Sequence, residues 1–255
     1  MSQGGDDLFD GSRLKLKRAN QHIADLSTLL TSFVDSKPYT VDLQDDLDRG
    51  EQVLKFAMLK DVPCDTPLII GDALHNIRTA LDFAAAELVR RADNGRTSKF
   101  IKFPFRSTRE ELEAAVKGGD IKVAHPTIID AIVNEVRPYE GGNMALVGLH
   151  NLDITDKHHL LIPIVTVSGI TGDFHINGRL AMRQCTIISS ANKHNMIGLP
   201  KGQDLQGNYR VILDVTFQDG LGFDGQPVVP TLHQLSKLTS SVLDILSNAF
   251  VSSRT

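Results

Sequence analysis

The chain has 255 residues, of which 41% are hydrophobic and 23% are charged, and its formal net charge is -4. This composition is typical of a globular protein and excludes the disordered and fibrous classes. The negative net charge excludes a strongly basic surface, so we expect no DNA partner, and any contact with RNA needs a local basic patch.

The amino terminus and the two cysteines indicate a cytoplasmic protein. The opening MSQGGDDLFDG has neither the positive segment nor the apolar segment of a secretory signal. No apolar run approaches ~18 residues, so we expect no membrane partner. Cys64 and Cys185 lie far apart and form no CxxC or Cys/His metal pattern. We therefore expect two reduced, mostly packed thiols.

Three long helices are predicted from apolar residues that recur every three or four positions. The first covers 12–35, the second begins at Thr66 and Pro67 and ends near residue 93, and the third covers 231–250. Thr66 is expected to cap the second helix with its hydroxyl. The apolar residues predicted to be buried are Leu16, Ala19, Ile23, Leu26, Leu30 and Phe33, then Ile70, Leu74, Ile77, Leu81, Ala84 and Leu88, and finally Leu232, Leu235, Val242, Leu246 and Ala249. No helix can bury such a stripe alone, so the three should pack on one another.

Shorter elements lie between these helices. Alternating apolar residues on both sides of an Asp-Arg-Gly turn predict a hairpin over 39–58. A short helix should begin at Ser107, where Glu110 completes a capping box. Two further helices are predicted over 127–136 and over 143–159.

The segment 160–229 differs in composition from the rest of the chain, because it is rich in β-branched residues. Its apolar residues recur at every second position, as in β-strands. Asn177-Gly178 is a strong two-residue hairpin turn. The predicted fold class is α+β, a bundle of three to five helices packed with an antiparallel β-sheet inserted before the C-terminal helix. We expect a single domain over 1–255, with a helical part of about 12–159 plus 231–252; a split near residue 160 is the alternative.

The second helix carries a polar cluster beside its apolar stripe. His75, Arg78 and Asp82 are spaced three and four residues apart, so all three can touch on one flank. An imidazole, a guanidinium and a carboxylate together could bind an anion and move a proton. The alternative is a surface ion pair between Arg78 and Asp82 with a solvated histidine as neighbour.

A second polar cluster lies on the helix predicted over 143–159. His150, Asp153 and Lys157 share one face, and Asp156 and His158 flank them. The rest of this helix is apolar on almost every side, which is typical of burial, and buried charges persist only when they are paired. The cluster could be a catalytic or ligand-holding network that faces the second helix. It could equally be a structural network that fixes the packing of the two helices, or a helix end that frays at His158.

Other chemistries lack their motifs. No HExxH, no paired ExxH and no third well-spaced ligand is present, so no metal site is predicted. No P-loop and no GxSxG motif occurs, and neither cysteine has a nearby histidine. We therefore expect no cofactor.

Three stretches of the sequence resemble a group of bacterial proteins of unassigned function. These are LHNIRTALDF at 74–83, FPF at 103–105 and LDITDKHHLL at 152–161. The group is similar in having a GDxLHNLRSALDH helix, an FPI segment and a later NxxDKHR motif. The chain departs from the last motif at His159, where the group usually has arginine.

The Arg-x4-His pattern of that group in turn resembles the HEPN domains, helical bundles that include metal-independent ribonucleases acting as dimers. The resemblance implies that Arg78 would hold a scissile phosphate and that Asp82 precedes the histidine that assists attack by the ribose hydroxyl. Phe83 occupies the position of that histidine in this chain. A phenyl ring cannot transfer a proton, so His75 or His158 would have to replace it.

Two hypotheses of function follow. In the first, the chain is a non-catalytic binding or assembly module, and the two polar clusters form an internal network between helices; this is the hypothesis that we favour. In the second, it is a HEPN-like ribonuclease or RNA-binding protein, with Arg78 on the phosphate, histidines as proton carriers and Lys157 stabilising charge. The candidate partners are RNA and a second copy of the chain.

Overall fold

The protein, seen here as a computed structural model, is described over residues 7–48, 50–188 and 195–254. The helices are α1 (Asp10–Asp35), α2 (Thr66–Ala92), α3 (Arg109–Gly118), α4 (Pro126–Asp130), α5 (Met144–Asp156) and α6 (Val228–Ser252). The strands are β1 (Tyr39–Asp46), β2 (Glu51–Met58), β3 (Ile164–Ile176), β4 (Arg179–Ile188), β5 (Asn195–Pro200) and β6 (Leu205–Thr216). This arrangement confirms the predicted α+β class.

The helices pack around one large apolar core. α1 lies against α2 and α6, and α5 lies against the same two helices. The apolar stripes predicted for α1 and α2 are fully buried, and so is that of α6 except for the partly buried Ala249. Burial of these stripes is the main force that holds the helices together, since apolar surface removed from water contributes about 25 cal/mol per Å².

The strands form two antiparallel sheets of three strands each. One has the order β1-β2-β5 and the other the order β4-β3-β6. The hairpin predicted over 39–58 is present, with Tyr39 opposite Met58. It is not separate from the later β-rich segment, because β2 also pairs with β5. The strands before α6 therefore belong to two sheets instead of the one predicted, and one of these sheets also contains β1 and β2 from the amino-terminal part of the chain.

The turn between β3 and β4 follows from its sequence. Asn177 and Gly178 have φ of 51° and 75°. A type I′ turn needs positive φ at both central residues, and asparagine followed by glycine tolerates this best. The predicted Asn-Gly hairpin is thus present.

Two predicted helix caps are wrong in detail. The capping residue of α3 is Thr108, whose hydroxyl accepts from the Glu111 N–H, so the predicted Ser107/Glu110 pair is displaced by one residue. Glu111 also accepts from the Ser107 N–H. At α2, the Thr66 hydroxyl is buried and caps nothing. The residue at which a helix begins depends on local backbone geometry, so a sequence pattern locates helix ends only to within one or two residues.

Two further helix predictions need correction. The segment predicted as a helix over 127–136 begins as α4 and continues as a π-helix over Ala131–Val136. α5 starts as predicted, with Asn143 as its cap, but ends at Asp156 and leaves His158 outside the helix.

The remaining sequence predictions concern the membrane and the thiols. In the parts of the chain that the structure describes, no helix has the length and hydropathy to cross a membrane. Cys64 and Cys185 are both free, but Cys64 is exposed, so the prediction that it is packed is wrong.

Candidate functional site

α2 and α5 lie side by side and run in opposite directions. Asp156 packs on Gly71, Asp153 contacts His75, and His150 contacts Arg78. The structure therefore brings the two predicted polar clusters together along one helix interface. They form two neighbouring groups, which we call the outer group and the inner group.

The outer group consists of His75, Asp153 and Lys157. His75 Nδ1 lies 3.1 Å from Asp153 Oδ1, and Lys157 Nζ donates to Asp153 Oδ2 over 2.5 Å. The Asp153 side chain is 5% exposed, whereas those of His75 and Lys157 are 55% and 52% exposed. Each oxygen of the buried carboxylate thus has one partner, and both partners remain in contact with solvent.

The inner group consists of Arg78, Asp82 and His150. The Arg78 side chain is only 6% exposed, and its Nη1 lies 2.7 Å from Asp82 Oδ1 as an ion pair without hydrogen-bond alignment. Arg78 Nε donates to His150 Nδ1 over 3.2 Å. Asp82 also accepts from the Phe103 N–H at 2.7 Å. The guanidinium is therefore enclosed and already shared between a carboxylate and an imidazole.

Phe105 completes the inner group, and the helical patterns did not single it out. The His150 ring stacks on its ring, with centroids 4.5 Å apart and an interplanar angle of 8°. The Arg78 Cζ lies 4.4 Å from the same centroid. Such contacts are worth about 0.5–2 kcal/mol each when water is excluded. The FPF segment was the only signal in the sequence that pointed to this residue.

The surroundings of His150 keep its imidazole neutral. Burial and then the adjacent Arg78 charge lower the pKa of His150 to about 4, although Asp153 and Asp82 oppose this shift. Because an arginine can only donate, His150 Nδ1 must accept. The proton of the neutral ring is then on Nε2, so Arg78 selects one tautomer of His150.

His150 also lines a cleft of about 230 Å³. The polar side chains that line it come from the 105–107 segment, from α3 and α5, and from the turn before α5. They are Arg106, Ser107, Glu111, Glu140, His150 and Asn151. Only His150 and Phe105 of the inner group line the cleft, and Arg78 and Asp82 do not. Sequence patterns did not reveal the cleft because its walls are distant along the chain.

Two of the predicted site residues lie outside both groups. Asp156 packs against Gly71, and burial, followed by the charges of Asp153 and Asp72, raises its pKa. His158 is exposed, and its backbone N–H donates to the Thr155 carbonyl. In the described part of the chain, the His158 side chain contacts neither group, because it lies exposed in the turn that follows α5.

The two positions of the Arg-x4-His pattern face different helices. Arg78 faces α5, whereas Phe83 is 45% exposed and faces α1, where Lys15 Nζ lies 5.5 Å from its ring centroid. A histidine at position 83 would therefore project toward α1, on a different side of α2 from Arg78.

Among the residues that the structure describes, no group of three or more His, Cys, Asp or Glu side chains is arranged to hold a metal ion. Comparisons with protein-family models, with curated proteins and with solved structures give no match to the chain. The chemistry available to the site therefore follows from its own geometry.

Proposed function

We propose that this protein is a non-catalytic binding module in which the inner group joins α2 to α5 and holds His150 at the cleft. The observation that carries this proposal is the enclosed environment of the Arg78 guanidinium. Asp82, His150 and Phe105 surround this group. An arginine that holds a phosphate in catalysis must present its N–H groups to a ligand arriving from solvent, and an enclosed guanidinium does not do so.

The competing hypothesis is a HEPN-like ribonuclease, and two observations weigh against it. Phe83 stands at the histidine position and faces away from Arg78. His150, the imidazole nearest to Arg78, has a pKa of about 4. A neutral ring with so low a pKa is a poor proton carrier near neutral pH, where an effective acid or base has a pKa close to that of the medium.

An RNA-cleavage experiment separates these hypotheses. The wild-type protein and its Arg78→Ala and Lys157→Ala variants are incubated with mixed RNA without metal, and their unfolding by urea is measured in parallel. We expect no cleavage by any of the three proteins. We expect Arg78→Ala to lose about 2–3 kcal/mol of stability, because it removes an enclosed guanidinium together with its contacts to Asp82, His150 and Phe105.

Lys157→Ala is the matched control for charge removal. Because Lys157 is half exposed and Asp153 keeps its contact with His75, the loss should stay below about 1 kcal/mol. Cleavage by the wild type that disappears in both variants would refute the proposal and support the ribonuclease. A similar stability of wild type and Arg78→Ala would show that the inner group does not join the helices.

A further inference from the structure

The cleft beside His150 holds several side chains whose hydrogen-bonding groups are unused. Within the described part of the chain, no partner is present for His150 Nε2, the Asn151 carboxamide, the Ser107 hydroxyl or the Glu140 carboxylate. Both backbone groups of Ser107 are used, since its N–H donates to Glu111 and its carbonyl accepts from the Glu140 N–H. The hydrogen-bonding groups that remain free in the cleft are therefore on side chains.

The side chains that line the cleft differ in burial and in hydrogen-bonding type. His150, which lines the cleft, is half-buried and carries an N–H donor on Nε2 in the tautomer that Arg78 selects. Glu111 and Glu140 are exposed and offer carboxylate acceptors at the rim. A ligand that fits must accept a hydrogen bond from the half-buried histidine and donate hydrogen bonds to the exposed carboxylates.

The charges of the cleft disfavour simple ions. Glu111 and Glu140 outnumber Arg106, so the lining carries one net negative charge at neutral pH, which disfavours a phosphate or a carboxylate. A cation would meet the guanidinium of Arg106 and would leave the His150 N–H without an acceptor. A buried donor without a partner costs about 1–3 kcal/mol, so a cation is also disfavoured.

From this arrangement we infer that the cleft binds a neutral polyhydroxylated ligand, one sugar ring in size; this inference rests on the proposed binding function and specifies its ligand. Each hydroxyl group both donates and accepts, as the mixed lining requires. The volume of about 230 Å³ is below the ~300–1,000 Å³ of pockets for larger ligands, which limits the bound part to a single ring. Val147 and Phe105 supply the apolar walls.

Ligand-detected NMR on the full chain tests this inference. The sugar probes are D-glucose, D-galactose, D-mannose and myo-inositol, with lactose and maltose to distinguish a free sugar from a sugar residue of a glycan. Inorganic phosphate and propylammonium are the ionic probes. We expect weak, millimolar binding of at least one sugar probe and no binding of either ion.

Substitutions in the cleft test whether the sugar binds there. Glu140→Gln should weaken the sugar about tenfold, because it replaces a charged acceptor by a neutral one. Asn151→Ala should weaken it by a smaller factor. Glu135→Gln, an exposed carboxylate outside this cleft, is the matched control and should leave binding unchanged.

Three results would overturn the inference: binding of no sugar probe, preference for phosphate or propylammonium, or sugar binding that the Glu140 and Asn151 variants do not alter. All three variants lie at exposed positions, so unchanged urea midpoints serve to verify that they fold. Failure of the sugar experiment leaves the outcome of the RNA experiment untouched, so the ligand class and the non-catalytic function are tested separately.

Discussion

At the scale of single residues, His150 shows the largest change in pKa among the residues that the structure describes. Its folded-state pKa of about 4 lies below the ordinary histidine value of 6.5, chiefly because of burial and of Arg78. Between these two values the unfolded chain binds more protons than the folded chain, so stability should rise with pH across that window. Urea unfolding followed as a function of pH measures this slope.

His150→Gln removes the titration but keeps an acceptor for Arg78. We expect the slope between pH 4 and 6.5 to become smaller in this variant than in the wild type. Asn151→Ala, an exposed neighbour that does not titrate, should keep the wild-type slope. An unchanged slope in His150→Gln would show that another group produces the pH dependence.

Sequence patterns anticipated part of the site at this scale. Helical spacing placed Arg78 and Asp82 on one flank and His150 with Asp153 on one face, and each pair is now seen at the shared helix interface. Phe105 lies in an irregular segment, where neither helical nor strand periodicity applies. The spatial contact between this ring and His150 depends on tertiary packing that no local pattern encodes.

At the scale of elements, α5 approaches the loop before α6 unusually closely. A Cβ atom added at Gly148 would lie 2.6 Å from Phe223 Cε2, and the Phe223 ring is buried. Gly148→Ala should therefore destabilise the protein by about 1 kcal/mol. An overpacking cost of about 1–3 kcal/mol exceeds the gain of up to about 1 kcal/mol that alanine brings to a helix.

A double-mutant cycle isolates this contact. In a Phe223→Leu background the ring edge is absent, so adding Gly148→Ala should become neutral or stabilising. Urea unfolding of the four proteins gives the coupling. Equal effects of Gly148→Ala in both backgrounds would mean that Phe223 does not limit the approach of α5.

Element types were easier to predict than element partners. The stripes of α1, α2 and α6 follow from helical spacing, because burial of one face imposes that spacing. The pairing of β2 with β5 joins segments separated by more than half the chain, and strand alternation does not specify a partner. The π-helix over Ala131–Val136 also leaves no distinct apolar pattern.

At the scale of the whole molecule, several contacts cross residue 160, where the alternative domain split was placed. β2 pairs with β5, and α6 returns to pack on α1. Val165 packs against both the helical core and the smaller apolar cluster between the sheets. Because these contacts connect the two halves of the chain, we predict that it unfolds as one cooperative unit.

Native-state hydrogen exchange in increasing urea measures this cooperativity. The most protected amides of α2 and of β3 should reach the same global free energy and the same dependence on urea. Two distinct values, divided near residue 160, would support separate domains instead.

Long-range ¹H–¹⁵N NMR of the His150 ring tests most directly whether Arg78 holds this residue neutral and aimed at the cleft. At neutral pH we expect an unprotonated Nδ1 and a protonated Nε2, with no titration of the ring until the pH approaches about 4. A ring protonated on both nitrogens at neutral pH, or a neutral ring with its proton on Nδ1, would contradict the account, because neither form can accept the Arg78 N–H.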